Sequence, residues 1–280
     1  MAIEFPVPFA KMSGTGNDFI VIDHRRPLVP GDEQPDFVSK VCRRMFSVGA
    51  DGVIFIEASE KADFSWQFYN GDGSVAEMCG NGARCAARFA HAKGFAGKKM
   101  SFETLAGIIE AEVLDDGEEV SLRMTSPFDY RTDLAVDLDG TTHEILFMNS
   151  GVPHAVLFMD EGADIPVRRW GHDIRFHEMF QPAGTNVNFV QVLDDGGIRV
   201  RTYERGVEDE TRACGIGAVA GAIFAAASTK VDSPVTVTTS GGEKLTIVFD
   251  LQEDGTAESV YLQGPARIIY IGQLTAEALK

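Results

Sequence analysis

The amino-acid sequence predicts an α+β fold built from two homologous halves. Three observations carry this prediction: acidic turns join many short apolar runs, helical periodicity is confined to a few segments, and one cysteine-containing motif occurs twice. A β-rich chain with a few isolated helices is typical of an α+β protein and not of a doubly wound parallel sheet. The length of 280 residues indicates one large or two medium domains.

The strands are predicted in pairs around tight turns. Asp-Gly between two apolar runs is a strong hairpin signal, because glycine adopts the positive φ that such turns require. Four hairpins follow: 110–114 with 120–124 around Asp115-Asp116-Gly117, 134–138 with 144–148 around Asp139-Gly140, 190–193 with 198–203 around Asp194-Asp195-Gly196, and 245–251 with 259–262 around Glu253-Asp254-Gly255.

Helices are expected over residues 35–45, 82–93 and 217–229. The first shows the period of an amphipathic helix, with its apolar side chains at Phe37, Val38, Val41, Cys42 and Met45. The other two segments are rich in alanine and largely apolar, which predicts helices that are buried on most sides.

The repeated motif stands before the two apolar helices. It reads Cys79-Gly80-Asn81-Gly82 and then Cys214-Gly215-Ile216-Gly217, an offset of 135 residues (214 − 79) in a chain of 280. Gly107 and Gly242 share this offset, and Tyr69 and Tyr203 each end an apolar strand upstream of their cysteine. Self-similarity at half the chain length predicts two homologous domains. We expect them at 1–130 and 131–280, with an extreme C-terminal segment that can pack back on the first domain.

Composition and charge restrict the partners. The chain has 25 Lys and Arg against 42 Asp and Glu, a net charge of −17, which argues against binding nucleic acid or an anionic membrane. Residues 1–5 show no signal-peptide pattern, and four cysteines in so long a chain do not form a disulfide framework. We therefore expect a cytoplasmic protein with reduced thiols.

The Cys-Gly-x-Gly motif has a chemical interpretation. A thiol at a helix N-terminus lies at the positive end of the helix dipole, which favours the thiolate, and the first amides of the helix can hold a carboxylate or phosphate. A single such cysteine is more simply a small buried hydrophobe, but two copies favour function. A zinc site is disfavoured, because Cys79, Cys85 and Cys214 lack metal-ligand spacing. Two thiols can invert a stereocentre without a cofactor, one removing a proton and the other delivering one.

The sequence resembles the diaminopimelate epimerases, which are amino-acid epimerases that do not use pyridoxal phosphate. The matching blocks follow the family order over nearly the whole chain: Lys11-Met12-Ser13-Gly14-Thr15-Gly16-Asn17-Asp18-Phe19, Gly49-Ala50-Asp51-Gly52, Tyr69-Asn70-Gly71-Asp72-Gly73-Ser74, 77–85, Glu103-Thr104, Gly151-Val152-Pro153-His154-Ala155-Val156, 184–191, Tyr203-Glu204-Arg205-Gly206 and 210–215.

The resemblance implies two domains related by a pseudo-twofold duplication, each a β-sheet wrapped around a central helix. It implies inversion of LL-diaminopimelate to meso-diaminopimelate, a precursor of lysine and the cell wall, by a homodimer with no cofactor and no metal. The residues it implies are Cys79 and Cys214 as the acid/base pair, His154 and Glu204 in support, and Asn17, Asn70, Asn186, Glu204 and Arg205 for substrate binding, with the amides of Gly80, Asn81, Gly215 and Ile216 as a carboxylate cradle.

Three departures from the family pattern leave alternatives open. Val152 stands where Asn is common, Ile216 stands where Thr or Ser is usual, and the segment 207–209 is one residue longer than the common form. A racemase of another amino acid, such as histidine, is therefore the runner-up. A one-base isomerase of the phenazine-biosynthesis type, or a binder without activity, should lack one of the two cysteines.

Overall fold

The computed structural model describes residues 3–114 and 117–280. Over these residues the chain forms, in order, β1 (Val7–Gly14), β2 (Asn17–Asp23), α1 (Gln34–Val41), β3 (Gly52–Glu57), β4 (Phe64–Asn70), α2 (Gly80–Ala92), β5 (Lys99–Thr104), β6 (Gly107–Val113), β7 (Glu119–Arg123), β8 (Phe128–Leu138), β9 (Thr141–Asn149), β10 (Pro153–Met159), α3 (Val167–Arg175), β11 (Asn186–Val192), β12 (Ile198–Glu204), β13 (Asp209–Thr211), α4 (Gly215–Ala227), β14 (Val235–Thr239), β15 (Lys244–Leu251), β16 (Ala257–Pro265) and β17 (Arg267–Leu274). Short 3₁₀ turns lie at Glu178–Phe180 and Ala276–Leu279.

The chain divides into two compact units. The first comprises Met1–Leu122 with Gly264–Lys280, and the second comprises Arg123–Gln263. In the first unit β17 returns to pair antiparallel with β1. Mixed sheets with few helices give the α+β class that the sequence predicts.

The two units repeat one order of strand pairing. In the first, β2 pairs parallel with β3, β3 antiparallel with β4, β4 parallel with β5 and β5 antiparallel with β6. In the second, β10, β11, β12, β14 and β15 repeat the same four pairings in the same order. A helix bridges each parallel pair, as a crossover connection requires: α1 and α2 in the first unit, α3 and α4 in the second.

One apolar helix lies against the sheet of each unit. Helix α4 packs on β10, β11, β12, β14 and β15, and α2 packs on β1, β2, β3, β6 and β17. The residues from Gly217 to Ala226 are all buried, and alanine and glycine let the strands approach this helix on several sides. The expectation of helices buried on most sides is confirmed.

The four predicted hairpins form as antiparallel pairs: β6 with β7, β8 with β9, β11 with β12, and β15 with β16. Their turn glycines, Gly117, Gly140, Gly196 and Gly255, have φ between 71° and 83°. Residues Asp115 and Asp116 of the first predicted turn lie outside the described residues.

One helix prediction needs correction, and one helix of the structure has no counterpart among the predictions. The first helix ends at Val41 and not at residue 45. Met45 adopts φ +70° and is fully exposed, so it does not belong to the buried face. Helix α3 was not predicted, because only Val167, Gly171 and Ile174 of its nine residues are buried and its other positions are mostly charged or polar. Gly171 lies against the Tyr203 ring, where a Cβ would overlap the ring atoms.

Candidate active site

Both cysteines of the repeated motif are helix N-caps. Cys79 caps α2 with φ −148° and ψ 117°, and its Sγ accepts a hydrogen bond from the Gly82 amide at 3.5 Å. Cys214 caps α4 with φ −121° and ψ 104°, and its Sγ accepts from the Gly217 amide at 3.4 Å. Each sulfur is half-buried and lies where the helix dipole favours negative charge.

The next residues of each helix supply backbone donors. The first amides of a helix have no carbonyl partner within it, and these are the amides of Gly80 and Asn81 in α2 and of Gly215 and Ile216 in α4. A Cβ on Gly80 would meet no atom within 4 Å, so the start of α2 borders open space. This geometry suits a carboxylate held by backbone N–H groups.

In the first unit an oriented chain of hydrogen bonds joins a buried cation to an anion. Arg84 Nη2 donates to Asn81 Oδ1 at 2.7 Å, Asn81 Nδ2 donates to Asn17 Oδ1 at 2.7 Å, and Asn17 Nδ2 donates to Asp51 Oδ2 at 2.9 Å. Because arginine can only donate and the carboxylate only accepts, both asparagine amides have a fixed orientation. Asn17 thus keeps one N–H and one lone pair for a ligand.

Arg84 itself is fully buried on the apolar helix. Nη2 also donates to Thr15 Oγ1 at 2.7 Å, while Nε and Nη1 have no hydrogen-bond partner in the structure. Burial lowers the pKa of Arg84. Asn70 lies apart from this chain: it ends β4 opposite Gly52 and donates to Ser74 Oγ at 3.0 Å.

In the second unit, the predicted residues lie at one end of β10, β11 and β12. His154 and Asn186 are partners in the β10–β11 pair. Asn186 Nδ2 donates to the Pro153 carbonyl at 3.1 Å, and Asn186 Oδ1 accepts from the Arg205 amide at 2.9 Å. Arg205 Nη1 donates to the Ala183 carbonyl at 3.0 Å, which fixes the direction of the guanidinium.

Two titratable side chains of this group have shifted pKa values. Burial lowers the pKa of His154 to about 3, and the charge of Arg205 acts in the same direction. His154 is therefore neutral at ordinary pH. Burial also raises the pKa of Glu204.

The other two cysteines have a different environment. Cys85 lies inside α2 and Cys42 follows α1, and both are buried. Burial raises the pKa of each thiol to about 12, so both remain protonated. They pack as small hydrophobic side chains, as expected for structural cysteines.

The part of the chain that the structure describes holds no group of three His, Cys, Asp or Glu side chains suited to a metal ion. No helix within that part is long and apolar enough to span a membrane.

The sequence analysis assigned no role to Asp51, Arg84 or Asn188, whose side chains contact those of Asn17, Asn81 and His154 respectively. Asn188 contacts His154 and lies in a block that matches the family. The sequence did contain a signal for Asn188: it lies two residues after Asn186, and alternate residues of a strand share a face, so the two side chains are expected on the same side of β11. Arg84 was visible as a cation within an otherwise apolar, alanine-rich helix.

The family model described as diaminopimelate epimerase matches residues 9–128 and 146–269. A diaminopimelate epimerase of Aquifex aeolicus is 47% identical over 281 residues, covering 97% of this chain and 99% of the relative. One of Archaeoglobus fulgidus is 42% identical over 285 residues, covering 98% of each.

Solved structures with the same fold are more distant in sequence. A phenazine biosynthesis protein of the PhzF family from Bacillus anthracis superposes with a TM-score of 0.73 at 14% identity, covering 97% of this chain and 100% of that one. A hydroxyproline epimerase from Agrobacterium vitis gives 0.68 at 17% identity, covering 99% and 94%. These two share the fold, whereas the family model and the curated relatives match almost the whole sequence. The chain belongs to the diaminopimelate epimerase family.

Proposed function

We propose that this protein inverts the α-carbon of LL-diaminopimelate to give the meso form, with Cys79 and Cys214 as the acid/base pair. The observation that carries the proposal is the duplicated cap: each unit has a thirteen-residue helix whose N-cap cysteine accepts from the glycine amide three residues later. A structural cysteine explains one such cap. Two matched caps support paired roles in one reaction.

The proposed step moves two protons and leaves the composition of the substrate unchanged. One cysteine thiolate removes the α-proton, and the electron pair left on carbon takes a proton from the other cysteine thiol on the opposite face. After turnover the first sulfur is a thiol and the second a thiolate, so the protein is set for the reverse reaction. The α-hydrogen is a very weak acid, so the carbanion needs electrostatic stabilisation. The helix N-terminal amides can provide it through the substrate carboxylate.

The remaining polar groups suit the distal amino-acid end of the substrate. Arg205 can hold a carboxylate through two parallel hydrogen bonds. The side chains of Asn17, Asn70 and Asn186 offer donors and acceptors to an ammonium and a carboxylate, and Glu204 adds an acceptor. In this proposal the end distal to the reacting carbon selects diaminopimelate over shorter amino acids.

Two further expectations belong to this proposal. Thiol acid/base chemistry needs both cysteines reduced, which a cytoplasm provides. A homodimer is proposed through β17, where the side chains of Ile269, Tyr270 and Ile271 are exposed. Exposed apolar side chains that lie together on a strand are a site for contact with another chain.

The test is proton exchange in deuterated water. The protein is incubated separately with LL-diaminopimelate, L-histidine, L-lysine and L-glutamate, and loss of the α-proton signal is followed by NMR. The Cys79→Ala/Cys214→Ala double variant gives the background. We expect exchange with diaminopimelate at least about 100-fold faster than with the other amino acids. Preferential exchange of histidine would support the runner-up, and no exchange with any substrate would refute the proposal.

A further inference from the structure

His154 has one nitrogen in use and one without a partner. The side chain is fully buried in β10, and Nδ1 lies 3.0 Å from Asn188 Nδ2. Nε2 is equally buried but has no hydrogen-bond partner in the structure. A buried polar atom without a hydrogen-bond partner lowers the stability of the folded protein, on the order of 1–3 kcal/mol. An unsatisfied buried polar atom calls for a physical explanation, and a bond that forms when a ligand binds is the explanation argued for His154.

The orientation of Asn188 determines which nitrogen of His154 carries the proton. Asn188 Nδ2 also lies 3.0 Å from the Ala155 carbonyl, which can only accept, and Asn188 Oδ1 accepts from the Thr202 hydroxyl at 2.9 Å. The amide nitrogen must therefore face both Ala155 and His154. Since Nδ2 donates to Nδ1, the neutral imidazole carries its proton on Nε2.

The same asparagine contacts the cap of Cys214. A Cβ on Gly217 would overlap Asn188 Oδ1, so the glycine and the amide are packed directly together. The Gly217 amide is the donor to Cys214 Sγ. The buried amide of Asn188 thus orients the imidazole of His154 and also packs against Gly217, whose backbone N–H donates to Cys214 Sγ.

We propose that Asn188 is a positioning residue that fixes His154 as a neutral Nε2–H donor, and that His154 binds an anionic oxygen of the amino-acid substrate without exchanging protons with it. The ligand chemistry rests on the proposed function. The buried donor then gains its missing partner.

The tautomer is measured by ¹⁵N NMR on the full-length, substrate-free protein labelled at its six histidines. The His154 signals are those missing from the His154→Gln variant. We expect an unprotonated Nδ1 and a protonated Nε2. In Asn188→Asp an acceptor replaces the donor, and the proton should move to Nδ1. Gln191→Glu is the matched control, because it makes the same change in the same strand at a side chain that bonds Asp160.

The activity of His154 variants distinguishes a hydrogen-bond donor at this position from a catalytic acid or base. Glutamine can place an N–H close to the Nε2 position, whereas phenylalanine cannot. We expect kcat/KM to fall about 100-fold in His154→Phe and less than about tenfold in His154→Gln. Circular dichroism confirms that each variant is folded. A protonated Nδ1 in the wild type, or a glutamine variant as inactive as the phenylalanine variant, would overturn the proposal. The tautomer is read without substrate, so it stands or fails separately from the proposed reaction.

Discussion

Burial lowers the pKa of His154, so the free energy of unfolding of the protein should depend on pH. The pKa of His154 is lowered from 6.5 to about 3. Between these values the unfolded chain binds a proton that the folded chain does not, so the free energy of unfolding falls as pH falls, by about 1.4 kcal/mol per pH unit. Urea unfolding at about pH 7 and pH 5 should show a contribution of about 2 kcal/mol that His154→Gln lacks.

The matched control for this prediction is His172→Gln, because His172 is exposed. It should keep the pH dependence of the wild type. Equal pH dependence in the wild type and in His154→Gln would show that His154 is protonated in the folded protein.

Two departures from the family pattern are Ile216 and Val152, and Ile216 lies close to the residue that precedes Val152. Ile216 Cδ1 is 4.0 Å from the Cβ position of Gly151, next to Val152. If these residues set substrate affinity while the sulfurs carry the chemistry, Ile216→Thr and Val152→Asn should change KM more than kcat. Because the sites are neighbours, the double variant should depart from additivity. Steady-state kinetics test this, and a large loss of kcat at constant KM would assign these residues to the reacting centre.

At the scale of elements, α2 and α4 start alike but tolerate different changes. A Cβ at Gly217 would overlap Asn188, whereas a Cβ at the corresponding Gly82 would meet Ile54 Cδ1 at 3.3 Å, the end of a flexible side chain. Gly217→Ala should therefore lower the free energy of unfolding by about 1–3 kcal/mol. Gly82→Ala should change it by less than about 1 kcal/mol, because helix propensity offsets the crowding. Denaturant unfolding of both variants checks this, and equal losses would contradict it.

The local helices and hairpins could be predicted from the sequence, but the hydrogen-bond networks and packing contacts between distant residues could not. The hairpins and the two apolar helices follow from neighbouring residues, since turn glycines and alanine-rich runs act locally. Helix α3 depends on the close approach of Gly171 to Tyr203, a contact between residues 32 positions apart (203 − 171). Asn188 gains its role from His154, Thr202 and Gly217, which lie in three other elements. Such a role depends on tertiary packing.

At the scale of the molecule, the exposed face of β17 predicts self-association. Ile271 is 65% exposed and Ile269 is 55% exposed. We expect a dimer in sedimentation velocity, and Ile271→Lys should shift it to a monomer because a charge would have to be buried. Leu251→Lys is the control, since Leu251 is an exposed apolar residue of β15 in the other unit. A monomeric wild type, or a dimer that persists in Ile271→Lys, would contradict the proposed interface.

The most direct test of the central claim, that two cysteines act on opposite faces of one carbon, uses β-halo analogues of diaminopimelate in both configurations. Elimination of the halide needs only the sulfur that abstracts the α-proton. Cys79→Ser and Cys214→Ser should each retain elimination with one configuration, and the two preferences should be opposite, while both variants lose epimerisation because a hydroxyl is a far weaker acid than a thiol. Equal elimination of both configurations by both variants would show that one base serves both faces, and would contradict the two-cysteine mechanism.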